Sequence, residues 1–102
     1  MAEWVKIAEQ SDMPKSGEVK EIVCGGKSYC VTNLSGEISV LDNVCLHRGG
    51  PLGQGHLENG RVVCPWHGWS FDAKTGSVEH NAVAKIKVYR TMMEGTVLKV
   101  EV

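Results

Sequence analysis

Two short stretches of a 102-residue chain each pair a thiol with an imidazole. Cys45 and His47 stand one residue apart in CLHRGG; Cys64 and His67 stand two apart in CPWHGW, sixteen residues further on. Both pairs lie in Gly- and Pro-rich sequence, the texture of surface loops, which carry function more often than packing. Single Cys and His residues often just fill a core, but two such pairs in loops argue against that. Structural zinc takes Cys₂His₂, yet it groups like ligands as C-x₂₋₄-C and H-x₃₋₅-H, and both pairs here are mixed. A mononuclear copper site wants two His, one Cys and a weak axial Met. The nearest later methionines are Met92 and Met93 in the tail, and a second Cys is left over. A Cys–His nucleophile needs a third group to orient the base, and none is evident. A two-iron cluster accounts for the mixing. It needs two ligands per iron, so thiolates on one iron and imidazoles on the other make each loop supply one ligand to each metal. Zinc, copper and Cys–His hydrolysis stay open as alternatives on residue types alone.

The elements around these loops read as β-strands. EWVKIAE sets Trp4, Lys6 and Ala8 against Val5 and Ile7, which predicts a strand with one buried face. Pro14 and Gly17 break the pattern before EVKEIVC, and Gly25-Gly26 is a hairpin signal leading into KSYCVTNL. Ser35-Gly36 turns into EISVLDN, and Asn59-Gly60 precedes the short run RVVC. FDAKTGSVE reads as a turn with Gly76 available for a positive φ. The tail AKIKVYRTMMEGTVLKVEV reads as two strands around Glu94-Gly95, the second alternating Leu98, Val100 and Val102 with Lys99 and Glu101. No helical period is sustained, and there is no internal repeat. Cys24 and Cys30 differ in parity across the Gly25-Gly26 turn, so they are expected on opposite faces of the hairpin as reduced structural thiols.

Composition sets the outer limits. The length suits one domain, and 42% apolar with 23% charged residues is ordinary for a globular chain. A net charge of −1 and a pI near 6.4 leave no electrostatic footprint for nucleic acid or an anionic membrane. No apolar run is long enough to span a bilayer. MAEWVKIAEQ lacks the basic and apolar regions of a secretory signal. The expected compartment is the cytoplasm, where cysteines serve metals or catalysis rather than disulfides.

C-x-H-x₁₆-C-x₂-H, in the contexts GEISVLDNVCLHRGGPL and VVCPWHGWSFDAKTG, resembles the Rieske motif, and the similarity extends over most of the chain. The resemblance implies an all-β fold of stacked antiparallel sheets. It implies a single domain, residues 1–102, with a loop-rich cluster-binding subdomain at about 43–72. One [2Fe–2S] cluster would be held by Cys45, His47, Cys64 and His67, with the His edges outward and the thiolates buried. With neutral imidazoles the formal charges of the oxidised centre sum to zero, so an added electron meets less repulsion than in an all-cysteine cluster.

Within the family, the chain most resembles the ferredoxin component of bacterial aromatic-ring-hydroxylating dioxygenase systems. That implies an electron carrier, not an enzyme, taking single electrons from a flavin-dependent NAD(P)H reductase to a terminal oxygenase. A small shuttle works well as a monomer, which is the expected state, and the charge and hydropathy above give no nucleic-acid or membrane partner. Respiratory-chain members carry an extra cysteine in each loop, where this chain has Gly50 and Trp66. They also place hydroxyl donors where it has Trp69 and Phe71, so the resemblance implies a low-potential centre. The small subunit of NADH-dependent nitrite reductase is an alternative within the family, and a zinc-stabilised interaction module is one outside it. Only His56 and His80 remain beyond the motif, and both read as solvated residues, as do Arg48 and Arg61. Leu46 and Trp66, beside Pro51, could form an apolar docking patch or simply shield the cluster.

Overall fold

The computed structural model describes residues 3–43, 51–65, 69–78 and 81–101, with the backbone alone for 81–85. Along the chain run β1 (Trp4–Glu9), β2 (Val19–Cys24), β3 (Lys27–Leu34), β4 (Glu37–Asp42), β5 (His56–Glu58) and β6 (Arg61–Val63). They are followed by β7 (Ser70–Asp72), β8 (Ser77–Val78), β9 (Asn81–Lys85), β10 (Val88–Tyr89), β11 (Thr91–Glu94) and β12 (Val97–Glu101). Short 3₁₀ turns occupy Gln10–Asp12 and Leu52–Gln54, and no α-helix occurs among the described residues. The fold is all-β, as expected. Pairings are antiparallel in three sheets, ordered β1-β12-β11, β10-β4-β3-β2 and β5-β6-β7-β8-β9.

Strand β3 explains the layering. Tyr29, Cys30, Val31 and Thr32 are buried in succession. Side chains alternate between faces, so consecutive burial means that both faces are covered. Tyr29 and Val31, with Val40 and Tyr89, face a core completed by Ile7, Ala8, Leu98 and Val100 of the first sheet. Cys30 and Leu41 face a second core with Leu52, Val62, Cys64, Phe71, Ala73, Val78 and Ile86. The β10-β4-β3-β2 sheet is therefore the middle layer. Cys24 packs against the first core and Cys30 lies in the second, on opposite faces as the parity argument required. The hairpin dipeptides Gly25-Gly26 and Asn59-Gly60 take positive φ at both central positions, the twist-matched geometry for two-residue loops.

Two expectations fail. In β1 the register against β12 shifts between Lys6 and Ala8, leaving Ile7 as the extra residue of a bulge. Ile7 and Ala8 are consequently both buried, and the simple alternation ends there. The tail before Glu94 is not one strand. It enters β9 in the third sheet, β10 in the second and β11 in the first. The break falls at Ile86, which leaves the sheet to fill the second core while its N–H donates to the Gly76 carbonyl at 2.9 Å. An alternating pattern gives the face of each residue but not the sheet it joins.

Candidate metal centre

Of the four proposed ligands, Cys64 is described. Cys45, His47 and His67 lie outside the described residues, as do Leu46, Arg48, Gly50, Trp66 and His80. Cys64 follows directly on β6, is 2% exposed, and packs with Leu52, Val62 and Phe71. Its N–H donates to the Trp69 carbonyl at 2.7 Å, so the residues flanking the Trp66–His67 segment are joined by a backbone bond.

The other segment is closed in the same way. The Leu52 N–H donates to the Asn43 carbonyl at 2.8 Å, joining the two ends of the stretch that carries Cys45 and His47. The buried Asn43 side chain tightens this junction, its Oδ1 accepting from the Gly53 N–H at 2.6 Å. Its Nδ2 donates to Oε2 of Glu21 on β2. The second Glu21 oxygen accepts from Gln54 Nε2 at 3.4 Å. Just upstream, Asp42 is held on the other face, where Tyr89 Oη donates to Oδ1 at 2.5 Å and Lys27 Nζ lies 3.6 Å away.

The two junctions adjoin. Gly55 packs on the backbone of Val63, and a Cβ there would overlap the Val63 carbonyl oxygen. Gly53 packs on Glu21, and its Cβ would come within 2.5 Å of the Glu21 Cα. Both glycines serve close backbone approach: Gly55 brings the exit of the first segment onto the strand that delivers Cys64, and Gly53 brings it onto β2.

A Rieske [2Fe-2S] domain profile matches residues 3–90. The chain belongs to the Rieske [2Fe-2S] family. It is 33% identical over 101 residues to the ferredoxin component of the naphthalene 1,2-dioxygenase/salicylate 5-hydroxylase systems of a Ralstonia species, covering 96% of each chain. It is 38% identical over 65 residues to human apoptosis-inducing factor 3, spanning 11% of that protein. The solved ferredoxin of Sphingomonas yanoikuyae B1 superposes with a TM-score of 0.85 at 27% identity, over 97% of this chain and 98% of that one.

The cofactor of this Rieske chain is one [2Fe–2S] cluster, and the described residues fit it. A buried thiol beside two adjoining loop junctions suits a group gripped between two loops. Cys30, in the same core, is a different kind of thiol. Burial first, and the Glu21 charge second, push its pKa up to about 12, which keeps it protonated and inert as a ligand. Cys24 is half-buried, and its Sγ donates to the Lys6 carbonyl at 3.4 Å.

Trp69 is half-buried against the core, and Phe71 is fully buried between Val62 and Val78 on neighbouring strands. His56 is exposed, with Nε2 3.2 Å from Glu58 Oε2. Arg61, expected to be a solvated charge, is half-buried, and its Nη1 donates to the Ser77 carbonyl at 3.5 Å. Asn43 and Glu21 are the supporting residues that the sequence did not reveal. They are 22 positions apart, and nothing local links them.

Proposed function

We propose that this Rieske domain is a one-electron carrier that serves a terminal aromatic-ring oxygenase and performs no substrate chemistry itself. Cys45 and Cys64 would ligate one iron and His47 and His67 the other, within a single domain of residues 1–102 whose cluster-binding part spans about 43–72. When bound, the cluster supplies a one-electron couple. The chain's own residues hold the ligands in place. Asn43, Leu52 and Gly53 close one ligand-bearing segment, Cys64 and Trp69 close the other, and Gly55 seats the first against β6.

The observation that carries the reading is the buried Cys64 at these adjoining junctions. It is supported by the near full-length likeness to a dioxygenase-system ferredoxin component. Electrons would arrive from a flavin-dependent NAD(P)H reductase, and the carrier would act as a cytoplasmic monomer. No helix among the described residues is long and apolar enough to cross a membrane. The potential would be low, because the positions of Trp69 and Phe71 carry no hydroxyl to stabilise the extra charge of the reduced state.

An EPR-monitored potentiometric titration tests this. A rhombic reduced-state signal with a midpoint around −150 mV, the lower end of the Rieske range, is expected. A clearly positive midpoint refutes the low-potential argument. Absence of a signal in protein that retains metal refutes the cluster.

A further inference from the structure

We infer that Glu21 and Asn43 form a positioning pair for the first ligand-bearing segment; the inference rests on the reading of Cys45 and His47 as cluster ligands. Glu21 belongs to β2, the edge strand of the middle sheet, and Asn43 lies just past β4, on the far side of β3. The Glu21 carboxylate reaches across to accept from Asn43 Nδ2 with one oxygen and from Gln54 Nε2 with the other. Asn43 and Gln54 stand before and after the segment that carries Cys45 and His47. One carboxylate therefore ties both ends of that segment to the middle sheet. Gly53 packs its Cα directly on the Glu21 backbone, which sets the base of the Glu21 side chain against the Leu52–Gln54 turn.

Asn43 is 4% exposed, so its amide cannot exchange this partner for bulk water. Losing a group bonded directly to a metal ligand typically costs roughly 10–100-fold in metal affinity or activity. This pair acts one step further out, through the ends of the segment, so the low end of that range is expected. The chemistry also has a direction: the carboxylate only accepts, and the amide must donate.

The test uses that direction on the cluster-loaded protein, reading chelator-driven iron release and the reduced-state EPR line shape. Asn43→Asp keeps the acceptor for the Gly53 N–H but sets two carboxylates against each other. Its iron release should quicken roughly tenfold, with a broadened EPR signal. Adding Glu21→Gln restores a donor–acceptor pair in the opposite sense. The double variant should return to within about threefold of the parent rate and regain the parent line shape. Val100→Ala, in the core on the other side of the middle sheet, controls for general loss of stability.

Parent-like iron release in Asn43→Asp overturns the inference. So does a double variant no better than the single one, or equal acceleration by Val100→Ala. Cys45→Ser separates the underlying reading: an unaltered Rieske signal in that variant overturns the ligand assignment and the inference with it. Where that signal is lost, the other outcomes bear on Glu21 and Asn43 alone.

Discussion

Replacing Gly55 by alanine should unseat the cluster by pushing apart the two elements that bear it. The added methyl would overlap the Val63 carbonyl oxygen, with the Val63 carbonyl carbon at 3.0 Å and the Leu52 carbonyl oxygen at 3.2 Å. These are backbone atoms, with no flexible side chain to swing aside. Relief requires β6 to separate from the Leu52–Gln54 turn. Overpacking costs about 1–3 kcal/mol, and a clash with backbone belongs in the upper half of that range. At about 4–8 °C per kcal/mol for a domain of this size, the thermal midpoint should fall by roughly 10–20 °C.

Gly95→Ala is the matched comparison. That residue turns between β11 and β12 at φ 64° with nothing within 4 Å of an added Cβ. Its cost is the left-handed backbone alone, about 1–2 kcal/mol. Both variants should be less stable, but Gly55→Ala alone should lose iron, measured as iron per protein together with visible absorption. A Gly55→Ala protein with full iron and a parent-like midpoint would refute the close-approach argument. Equal iron loss in Gly95→Ala would show that any destabilisation strips the cluster.

The remaining predictions concern buried groups and docking. Cys30 has a folded-state pKa of about 12 against an ordinary 9.0, so the unfolded chain gives up its proton first. Its contribution is complete below pH 9 and is lost progressively as pH rises towards 12, by at most about 1.4 kcal/mol per pH unit. Cys30→Ala should flatten the fall in urea midpoint between pH 9 and 10.5, and an unchanged slope would contradict it. Tyr89→Phe removes the 2.5 Å bond to Asp42 and should cost about 1.5–2 kcal/mol in urea unfolding. A loss below about 0.5 kcal/mol would mean that Lys27 and solvent satisfy Asp42 without it. Trp66→Ala should slow electron delivery to an oxygenase while leaving the visible spectrum intact, and unchanged transfer rates would remove Trp66 from docking.

Local signals carried much of the fold. Gly25-Gly26, Ser35-Gly36 and Asn59-Gly60 each mark a hairpin because a tight turn needs residues that tolerate positive φ, a demand set within four residues. The parity of Cys24 and Cys30 held because the Gly25-Gly26 loop fixes the register of β2 against β3. Features set by distant partners were not legible. The bulge at Ile7 depends on β12, some ninety positions away. The partition of the tail among three sheets depends on where Ile86 is buried, and alternation does not encode that. The ligand motif was legible as chemistry, since its mixed spacing pointed to two metals. The Glu21–Asn43 support was not, because it joins two strands through side chains that separately look like an edge-strand glutamate and a loop asparagine.

The order in which strands find partners bears on how the chain is made. β5 to β9 pair each with its sequence neighbour, so this sheet can zip up as it leaves the ribosome. Among the described residues β1 pairs with β12 alone, and β4 must wait for β10 on its open side. The strands around Cys64 therefore have their partners in hand while β1 is still unpaired. Pairing of the strands around Cys64 does not wait on the outer sheet, and β1 stays an unpaired edge until residues 97–101 arrive.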